Sequence, residues 1–317
     1  MPKSYGDYFP TYSRSSAGVD GQPAFLSSTS AHLAAVNYSD IPLSERVSIL
    51  QRILEKKIHG LSFSPYLEGQ APGCEISEQQ IRERLEIISP CCNWIRTFSC
   101  TDGNERSPVV AREFGLDTMV GVCLNEDHAM NEIELASGIA IARAGNAGIL
   151  AVGNEVLLRG DLGEDEILDY IRRAREAVPG VPVAYVDAYF LFEQYPRLVE
   201  ACDVILINCY PFWESCPVEY APAYMREMYR RAQAVASGKK VIISETGWPS
   251  RGEAYGEAVP GKENAINYFI ETCRWAEKEG VEIFYFSSFD ESWKTGDEGD
   301  VGAWWGLWDQ HGKLKYF

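Results

Sequence analysis

Two glutamates are the residues of this chain best placed for acid–base chemistry, because each ends an apolar run. Glu155 closes Gly148-Ile-Leu-Ala-Val-Gly-Asn-Glu, and Glu245 closes Val241-Ile-Ile-Ser-Glu. Burial disfavours the charged form of a carboxylate, so a carboxylate that ends a buried strand is more often kept for chemistry than for packing. Cleavage of a glycosidic bond needs a proton donor and an anion beneath the reacting carbon. The pair therefore predicts acid–nucleophile catalysis on such a bond.

The residues beside the two glutamates suit a sugar. Asn154 directly precedes Glu155 and carries an amide that can hydrogen-bond a sugar hydroxyl, so Glu155 is interpreted as the acid/base. Trp248 follows Glu245 and could stack on a sugar ring, which makes Glu245 the candidate ionised partner. The structural alternative is that a glutamate at a strand end is a helix N-terminal or salt-bridge residue. That explanation would have to hold at both positions.

Short β-branched or aromatic-rich segments alternate with amphipathic helical patterns along the chain, which is typical of parallel βαβ units. Helices are predicted over Ser44–Lys57, Glu78–Ile88, Glu164–Val178, Tyr224–Ala236 and Glu263–Lys278, with Ser44 and Ser77 as N-caps of the first two. The eight predicted strands are His59–Pro65, Trp94–Ser99, Asp117–Cys123, Ala147–Gly153, Val181–Asp187, Asp203–Cys209, Lys240–Glu245 and Glu282–Phe289.

Eight such units predict an α/β protein with a (β/α)8 TIM barrel. A doubly wound open sheet is the alternative, but it usually carries a glycine-rich phosphate loop after its first strand. Here that strand runs into Ser62-Phe-Ser-Pro-Tyr, without G-x-G-x-x-G. We predict a single catalytic barrel over residues 44–317, preceded by an N-terminal extension of residues 1–43 that is too polar to bury a core alone.

Residues just beyond the carboxyl ends of barrel strands face one mouth, which gathers distant parts of the chain into one site. The mouth predicted here is rich in carboxylates and aromatic rings, as a site for an uncharged polyol would be. Arg96 could hold a carboxylate ionised or be a structural ion-pair partner, and Trp305 could pack in the core or contact a sugar. The acidic segment 297–300 is predicted to be a solvated loop. The candidate substrate-binding residues are Tyr66, Arg96, Asn154, Tyr210, Phe212, Trp248, Glu291, Trp293 and Lys294.

Charge and motifs exclude several classes of function. With 29 basic and 46 acidic residues the formal net charge is −17, which argues against nucleic acid or an anionic membrane surface as a partner. No apolar run approaches the ~20 residues that span a bilayer. The four histidines show no metal-ligand spacing, and H-E-x-x-H, G-x-S-x-G and P-loop motifs are absent from the sequence. Metal or serine-hydrolase chemistry therefore has little support, and the oligomeric state is open.

Nine cysteines without a C-x-x-C pair indicate free thiols in a reducing compartment. The opening residues are polar and lack the apolar stretch of a secretory signal. These features predict a cytoplasmic protein, or a periplasmic or secreted one if a signal has been trimmed away.

Two segments resemble the active-site motifs of glycoside hydrolase family 17, the β-1,3-glucanase family. They are Val152-Gly-Asn-Glu-Val and Ile242-Ile-Ser-Glu-Thr-Gly-Trp-Pro-Ser, and the second is highly specific. The resemblance covers about residues 58–317. Further matches are Ile95-Arg-Thr-Phe, Asn208-Cys-Tyr-Pro-Phe-Trp, Phe289-Asp-Glu-Ser-Trp-Lys and Gly306-Leu-Trp-Asp.

The resemblance implies a (β/α)8 barrel that acts on β-1,3-linked glucan by a retaining double displacement. It implies that Glu155 is the acid/base, that Glu245 is the nucleophile and that Asn154 binds the 2-hydroxyl of the sugar under attack. Glu291 and Lys294 match an auxiliary acidic–basic pair, and the resemblance implies neither a metal nor an organic cofactor. The resemblance also implies that Tyr210, Phe212 and Trp248 form subsite walls.

A retaining mechanism leaves two outcomes open, because the glycosyl-enzyme can be resolved by water or by another sugar. Hydrolysis of β-1,3-glucan is the main prediction. Transglycosylation that elongates or branches glucans is the alternative, with Trp213, Trp293 and Trp305 as candidate acceptor sites. A non-catalytic carbohydrate-binding barrel would be expected to have lost a catalytic carboxylate, and this sequence has both.

Overall fold

The computed structural model describes residue 37, residues 40–296 and residues 298–316. Most of the predicted extension, residues 1–43, lies outside the described residues. The division into an extension and a barrel therefore stays a prediction at its N-terminal side.

Eight parallel strands follow one another around a closed barrel in chain order. The circle is completed by β1, which pairs with β2 on one side and with β8 on the other. This confirms the (β/α)8 prediction, and the open doubly wound sheet is wrong. The strands are β1 Ile58–Ser62, β2 Cys92–Arg96, β3 Asp117–Val122, β4 Ile149–Asn154, β5 Val183–Ala188, β6 Ile205–Asn208, β7 Val241–Thr246 and β8 Ile283–Tyr285.

Helices connect successive strands and cover the outside of the barrel. Ser77 accepts a hydrogen bond from the amide of Gln80 at 3.1 Å, which confirms it as an N-cap. The prediction for Ser44 is wrong, because the first helix begins one residue earlier and Pro42 occupies the cap position. The helices are α1 Leu43–Glu55, α2 Glu78–Ile88, α3 Ser107–Glu113, α4 His128–Arg143, α5 Val156–Arg159, α6 Glu164–Ala177, α7 Leu191–Gln194, α8 Pro196–Ala201, α9 Ala221–Val235 and α10 Lys262–Glu279.

The strands are rich in valine and isoleucine because both of their faces are buried, one inside the barrel and one under the helices. Every residue of β5, β6 and β7 is buried. In the part of the chain that the structure describes, no helix is long and apolar enough to cross a membrane.

Glycines shape the ends of the two strands that carry the glutamates. Gly153 has φ +88° and lies where the pairing register of β4 with β5 shifts, between Ala151 and Asn154. A β-carbon on Gly153 would lie 3.1 Å from the ring of Tyr185, and one on Gly247 would lie 2.1 Å from the carbonyl oxygen of Phe286. Glycine is therefore needed at both places for the chain to turn and approach its neighbours closely.

Candidate active site

Glu245 is a buried carboxylate, 5% exposed, that is held by hydrogen-bond donors on three strands or loops. The Arg96 guanidinium forms an ion pair with it through Nη1. The Tyr210 hydroxyl donates to Glu245 Oε2 at 2.6 Å. These donors fix the orientation of the carboxylate. The site thus presents an oriented carboxylate, paired with Arg96, near the end of β7.

Arg96 also ties the two glutamate-bearing strands together. It is 1% exposed. Its Nη2 donates a hydrogen bond to Asn154 Oδ1 at 2.9 Å, and its Nη1 donates to Glu245 Oε1. The planar guanidinium can point two N–H groups in fixed directions, which a lysine could not do. The position of Asn154, next to Glu155, is therefore coupled to that of Glu245.

Glu155 and Glu245 meet at one side chain, Asn208 at the end of β6. Asn208 Nδ2 lies 2.8 Å from Glu155 Oε1 and 3.3 Å from Glu245 Oε1. The hydroxyl of Ser244 donates to Asn208 Oδ1 at 2.8 Å, which orients the amide so that its nitrogen faces the two carboxylates. The structure thus brings the two predicted catalytic residues into one site.

A cavity of about 110 Å³ opens in front of these carboxylates. Its chemistry is mixed, with carboxyl, amide and ammonium groups beside aromatic rings, as sugar binding requires. A larger cavity of about 480 Å³ lies between α1 and α10 near the starts of β1 and β8, away from the paired glutamates. We place the site in the smaller one because it lies at the carboxyl ends of the strands, where barrel active sites form. It is lined by Phe98, Asn154, Glu155, Tyr210, Trp213, Glu245, Phe286, Lys294, Glu298 and Trp305.

Lys294 provides the positive charge of the cavity. Its Nζ lies 3.0 Å from Glu291 Oε2 and 4.3 Å from the centre of the Phe286 ring. Burial alone would lower the pKa of the Lys294 ammonium, but Glu291, Glu298 and Glu245 together raise it above the ordinary value. Lys294 is therefore cationic at neutral pH.

Glu298 is a third carboxylate in the cavity, and the prediction of a purely solvated loop at 297–300 is wrong for this residue. Burial raises the pKa of Glu298 to about 7. Lys294 opposes that rise, whereas Glu291, Glu245 and Glu155 add to it. The cavity therefore contains a carboxyl group that changes its charge near neutral pH.

Six of the nine predicted binding residues lie outside the cavity lining: Tyr66, Arg96, Phe212, Trp248, Glu291 and Trp293. Phe212 and Trp248 are 0% and 1% exposed and pack against each other with ring centres 5.3 Å apart. Tyr66 and Trp293 form an edge-to-face pair with ring centres 6.1 Å apart, and the indole of Trp293 donates to Glu291 at 3.2 Å. Phe212 and Trp248 support the aromatic residues of the cavity from behind.

Asn208 and Glu298 are polar residues of the site that were not assigned a role from the sequence. Asn208 opens the segment Asn208-Cys-Tyr-Pro-Phe-Trp, and its place at the end of a predicted strand was the available signal. Glu298 lies in a 3-10 turn region beyond the last strand, and local sequence carries no signal that it folds back over the mouth. Among the described residues, no cluster of three or more His, Cys, Asp or Glu side chains could hold a metal ion.

The geometry of two carboxylates at the ends of β4 and β7 of a (β/α)8 barrel defines a glycoside hydrolase. A family model described as the BtgE/BtgC glycoside hydrolase domain matches residues 60–306. The chain belongs to this family, within glycoside hydrolase family 17.

Related proteins cover most of the chain. A glucan 1,3-beta-glucosidase of Schizosaccharomyces pombe is 28% identical over 267 residues, which is 77% of this chain and 81% of that protein. The probable beta-glucosidase btgE of Neosartorya fischeri is 26% identical over 259 residues, 79% of this chain, and the matched part is only 46% of btgE. This chain thus spans less than half of the longer relative.

A solved structure supports the same placement. The family 17 beta-1,3-glucanosyltransferase of Rhizomucor miehei has a TM-score of 0.73 at 25% identity, covering 82% of this chain and 96% of that one. An endo-laminarinase from Formosa has a TM-score of 0.72 at 19% identity, which supports the fold.

Proposed function

We propose that the protein cleaves β-1,3-glucosidic bonds in glucan oligo- or polysaccharides by a retaining double displacement. The observation that carries the proposal is the shared contact of Asn208 with Glu155 and Glu245, because it joins two carboxylates in one cavity. Family membership supports the reaction type, and the names of the relatives support the glucan linkage.

The contacts favour different roles for the two glutamates. Glu245 is paired with Arg96 and hydrogen-bonded to Tyr210, which orient its carboxylate towards the reacting carbon, so it acts as the nucleophile. Glu155 protonates the leaving oxygen and later removes a proton from the incoming acceptor. Asn154, fixed by Arg96, is placed beside Glu155 to bind the 2-hydroxyl of the reacting sugar.

The two carboxyl groups lie close together. The distances from Asn208 place Glu155 Oε1 and Glu245 Oε1 no more than about 6 Å apart. A separation of about 5–5.5 Å between the carboxyl groups stays a prediction.

Release of reducing ends from laminarin tests this function. Wild-type protein should release them, Glu245→Ala should abolish the release, and the first product should keep the β configuration in a proton NMR time course. An inactive wild type, or equal activity of wild type and variant, would refute the proposal.

Transglycosylation is a second candidate, favoured by the pair Trp213 and Trp305. Both rings line the cavity, with centres 5.7 Å apart, and could hold an acceptor sugar that excludes water. The Rhizomucor miehei relative is named as a glucanosyltransferase. Products longer than a defined laminari-oligosaccharide donor would support transfer, and exclusively shorter products at high substrate would support hydrolysis.

The partner we propose is the glucan itself. The cytoplasmic location, with a periplasmic or secreted one for a trimmed chain, stays a prediction. All nine cysteines lie within the described residues and are free thiols.

A further inference from the structure

A buried carboxylate that the proposed reaction does not use lies next to Glu155. Asp187 is 0% exposed and sits near the end of β5. Its Oδ1 accepts a hydrogen bond from the amide of Ala188 at 2.8 Å, and its Oδ2 is hydrogen-bonded to the hydroxyl of Tyr185. Because β4 and β5 are paired, Asp187 stands beside the strand end that carries Glu155.

Tyr185 extends this contact to the backbone just after Glu155. The amide of Leu157 donates to the Tyr185 hydroxyl at 2.9 Å. Leu157 lies in the first turn of α5, where amide N–H groups have no partner within the helix. The ring of Tyr185 fits against Gly153, the glycine two residues before Glu155. Tyr185 therefore contacts the chain on both sides of the acid/base.

The backbone held in this way is strained. Glu155 has φ 53° and ψ 30°, the left-handed region, which is unfavourable for a residue with a β-carbon. Such a conformation persists only where surrounding contacts fix it. Those contacts include the Val186 carbonyl, which accepts from the Glu155 amide at 2.9 Å, and the Tyr185 hydroxyl, which accepts from the Leu157 amide.

We propose that Asp187 and Tyr185 are positioning residues that hold Glu155 in the orientation needed for proton transfer. The inference rests on the proposed function, since it assigns a support to the acid/base of that reaction. The chain of contacts runs from Asp187 to Tyr185, then to the Leu157 amide and so to the turn that aims Glu155.

The charge state of Asp187 fits this role. Burial raises the pKa of Asp187 to about 8, and the charge of Glu155 contributes to the rise. At neutral pH Asp187 is therefore a neutral hydrogen-bonding group rather than an anion beside Glu155. Asparagine has nearly the same shape and can also hydrogen-bond Tyr185, so Asp187→Asn is the conservative variant that should retain the function.

Dependence on the leaving group separates a positioning role from a merely structural one. A sugar leaving group needs a proton from Glu155, whereas a dinitrophenolate leaves without one. The experiment compares kcat/KM for a laminari-oligosaccharide and for the dinitrophenyl glycoside of laminaribiose, which places the same donor in the cavity. The variants are Tyr185→Phe, Asp187→Ala and Asp187→Asn.

We expect Tyr185→Phe and Asp187→Ala to lower kcat/KM for the oligosaccharide by about 10–10²-fold through kcat, with KM little changed. Both should stay within a few-fold of wild type on the dinitrophenyl substrate. Asp187→Asn should resemble wild type on both substrates. Matched controls are Tyr170→Phe on α6 and Asp203→Asn. In the wild type, Asp203 accepts a hydrogen bond at 2.9 Å from the amide of Val183, at the other end of β5.

Equal losses on both substrates, or no loss on either, would overturn the inference. Tyr185→Phe carries the test if Asp187→Ala fails to fold, because it removes a single oxygen. A wild type inactive on both substrates would instead refute the proposed function, so the two failures are distinguishable.

Discussion

Asn208 donates a hydrogen bond from its side-chain nitrogen to Glu155 Oε1 over 2.8 Å. The same nitrogen lies 3.3 Å from Glu245 Oε1, so one amide spans the strands that end in the proposed acid/base and nucleophile. A neutral donor between two carboxylates reduces their mutual repulsion without adding a charge that would compete with the substrate. The amide also contacts both groups at once, which limits their separation.

Asn208→Ala should lower kcat on laminari-oligosaccharides by about 10²-fold, the effect of losing one preorganised donor in an active site. The fold should be little affected, since the change removes only a side-chain amide. Steady-state kinetics and thermal unfolding measure the two effects. Asn93→Ala is the control, because Asn93 donates to the carbonyl of Ile58 at 3.3 Å at the other end of the barrel. An unchanged kcat in Asn208→Ala would contradict the bridging role.

Arg96→Met should lower the free energy of unfolding by about 3–5 kcal/mol, because it leaves the buried Glu245 without its cationic partner. Adding Glu245→Gln to that variant should recover most of the loss, since the unpaired charge is then gone. Denaturant unfolding of the four proteins gives the coupling energy. Arg172→Met removes an exposed ion pair on α6 and should cost far less. Additive effects of the two substitutions would argue against this pairing.

The barrel could be predicted from the sequence. So could those residues at its mouth whose positions are determined by the strands that carry them. Arg96 and Asn154 end their strands and Glu245 is the last residue but one of β7, and the carboxyl ends of parallel strands must meet. The α4 helix was not predicted, because its buried face includes Asn131, Glu134 and Gly138 and so carries no continuous apolar stripe.

Residues beyond the strand ends depend on loop conformation, which local patterns do not determine. Phe212 lies in a 3-10 turn and Trp248 follows Gly247, so the direction of each ring is set by contacts with distant segments. Trp248 donates from its indole to the carbonyl of Val259 at 3.0 Å, a contact made by a loop eleven residues later. The position of Glu298 in the cavity likewise depends on the conformation of a loop beyond the last strand.

Stability should depend on pH through Asp187. The pKa of Asp187 is about 8 in the folded protein, against an ordinary value of 3.8. Between these two pH values, Asp187 is protonated in the folded state and ionised in the unfolded state. The contribution of Asp187 to stability is thus fully present below about pH 4 and is lost as the pH rises through about 8. Asp187→Asn lacks this dependence.

The unfolding free energy of Asp187→Asn relative to wild type should therefore rise between pH 5 and 8, by at most about 1.4 kcal/mol per pH unit. Denaturant unfolding at several pH values measures the difference, and Asp203→Asn is the control. A difference that stays constant, or that falls with pH, would contradict the raised pKa.

Glu298 should make substrate binding depend on pH near neutrality. Its pKa of about 7 means that it is protonated below this pH and ionised above it. A carboxylate accepts a stronger hydrogen bond from a sugar hydroxyl than a neutral carboxyl does. The KM for laminari-oligosaccharides should therefore fall as the pH rises through 7, and Glu298→Gln should remove this change. Glu253 lies on an exposed neighbouring loop, so Glu253→Gln should behave as wild type. A pH-independent KM in the wild type would refute a role of Glu298 in substrate binding.

Trp213 should influence whether water or a sugar completes the reaction. Its ring lines the cavity beside Trp305. Stacking on an aromatic ring contributes about 0.5–1.5 kcal/mol to the free energy of binding. Trp213→Ala should weaken acceptor binding and lower the ratio of transfer to hydrolysis products by a factor of about 2–10 at high substrate. The rate of glycosyl-enzyme formation should fall much less, because Glu155 and Glu245 are retained.

Mass spectrometry of the products from a defined laminari-oligosaccharide gives this ratio, and a pre-steady-state burst with the dinitrophenyl donor gives the first step. Trp275→Ala is the matched control, since Trp275 packs against Tyr229 on the outer helices with ring centres 5.4 Å apart. If Trp213→Ala and Trp275→Ala give the same product ratio, the cavity tryptophans do not select the acceptor, and transfer must depend on residues outside this cavity.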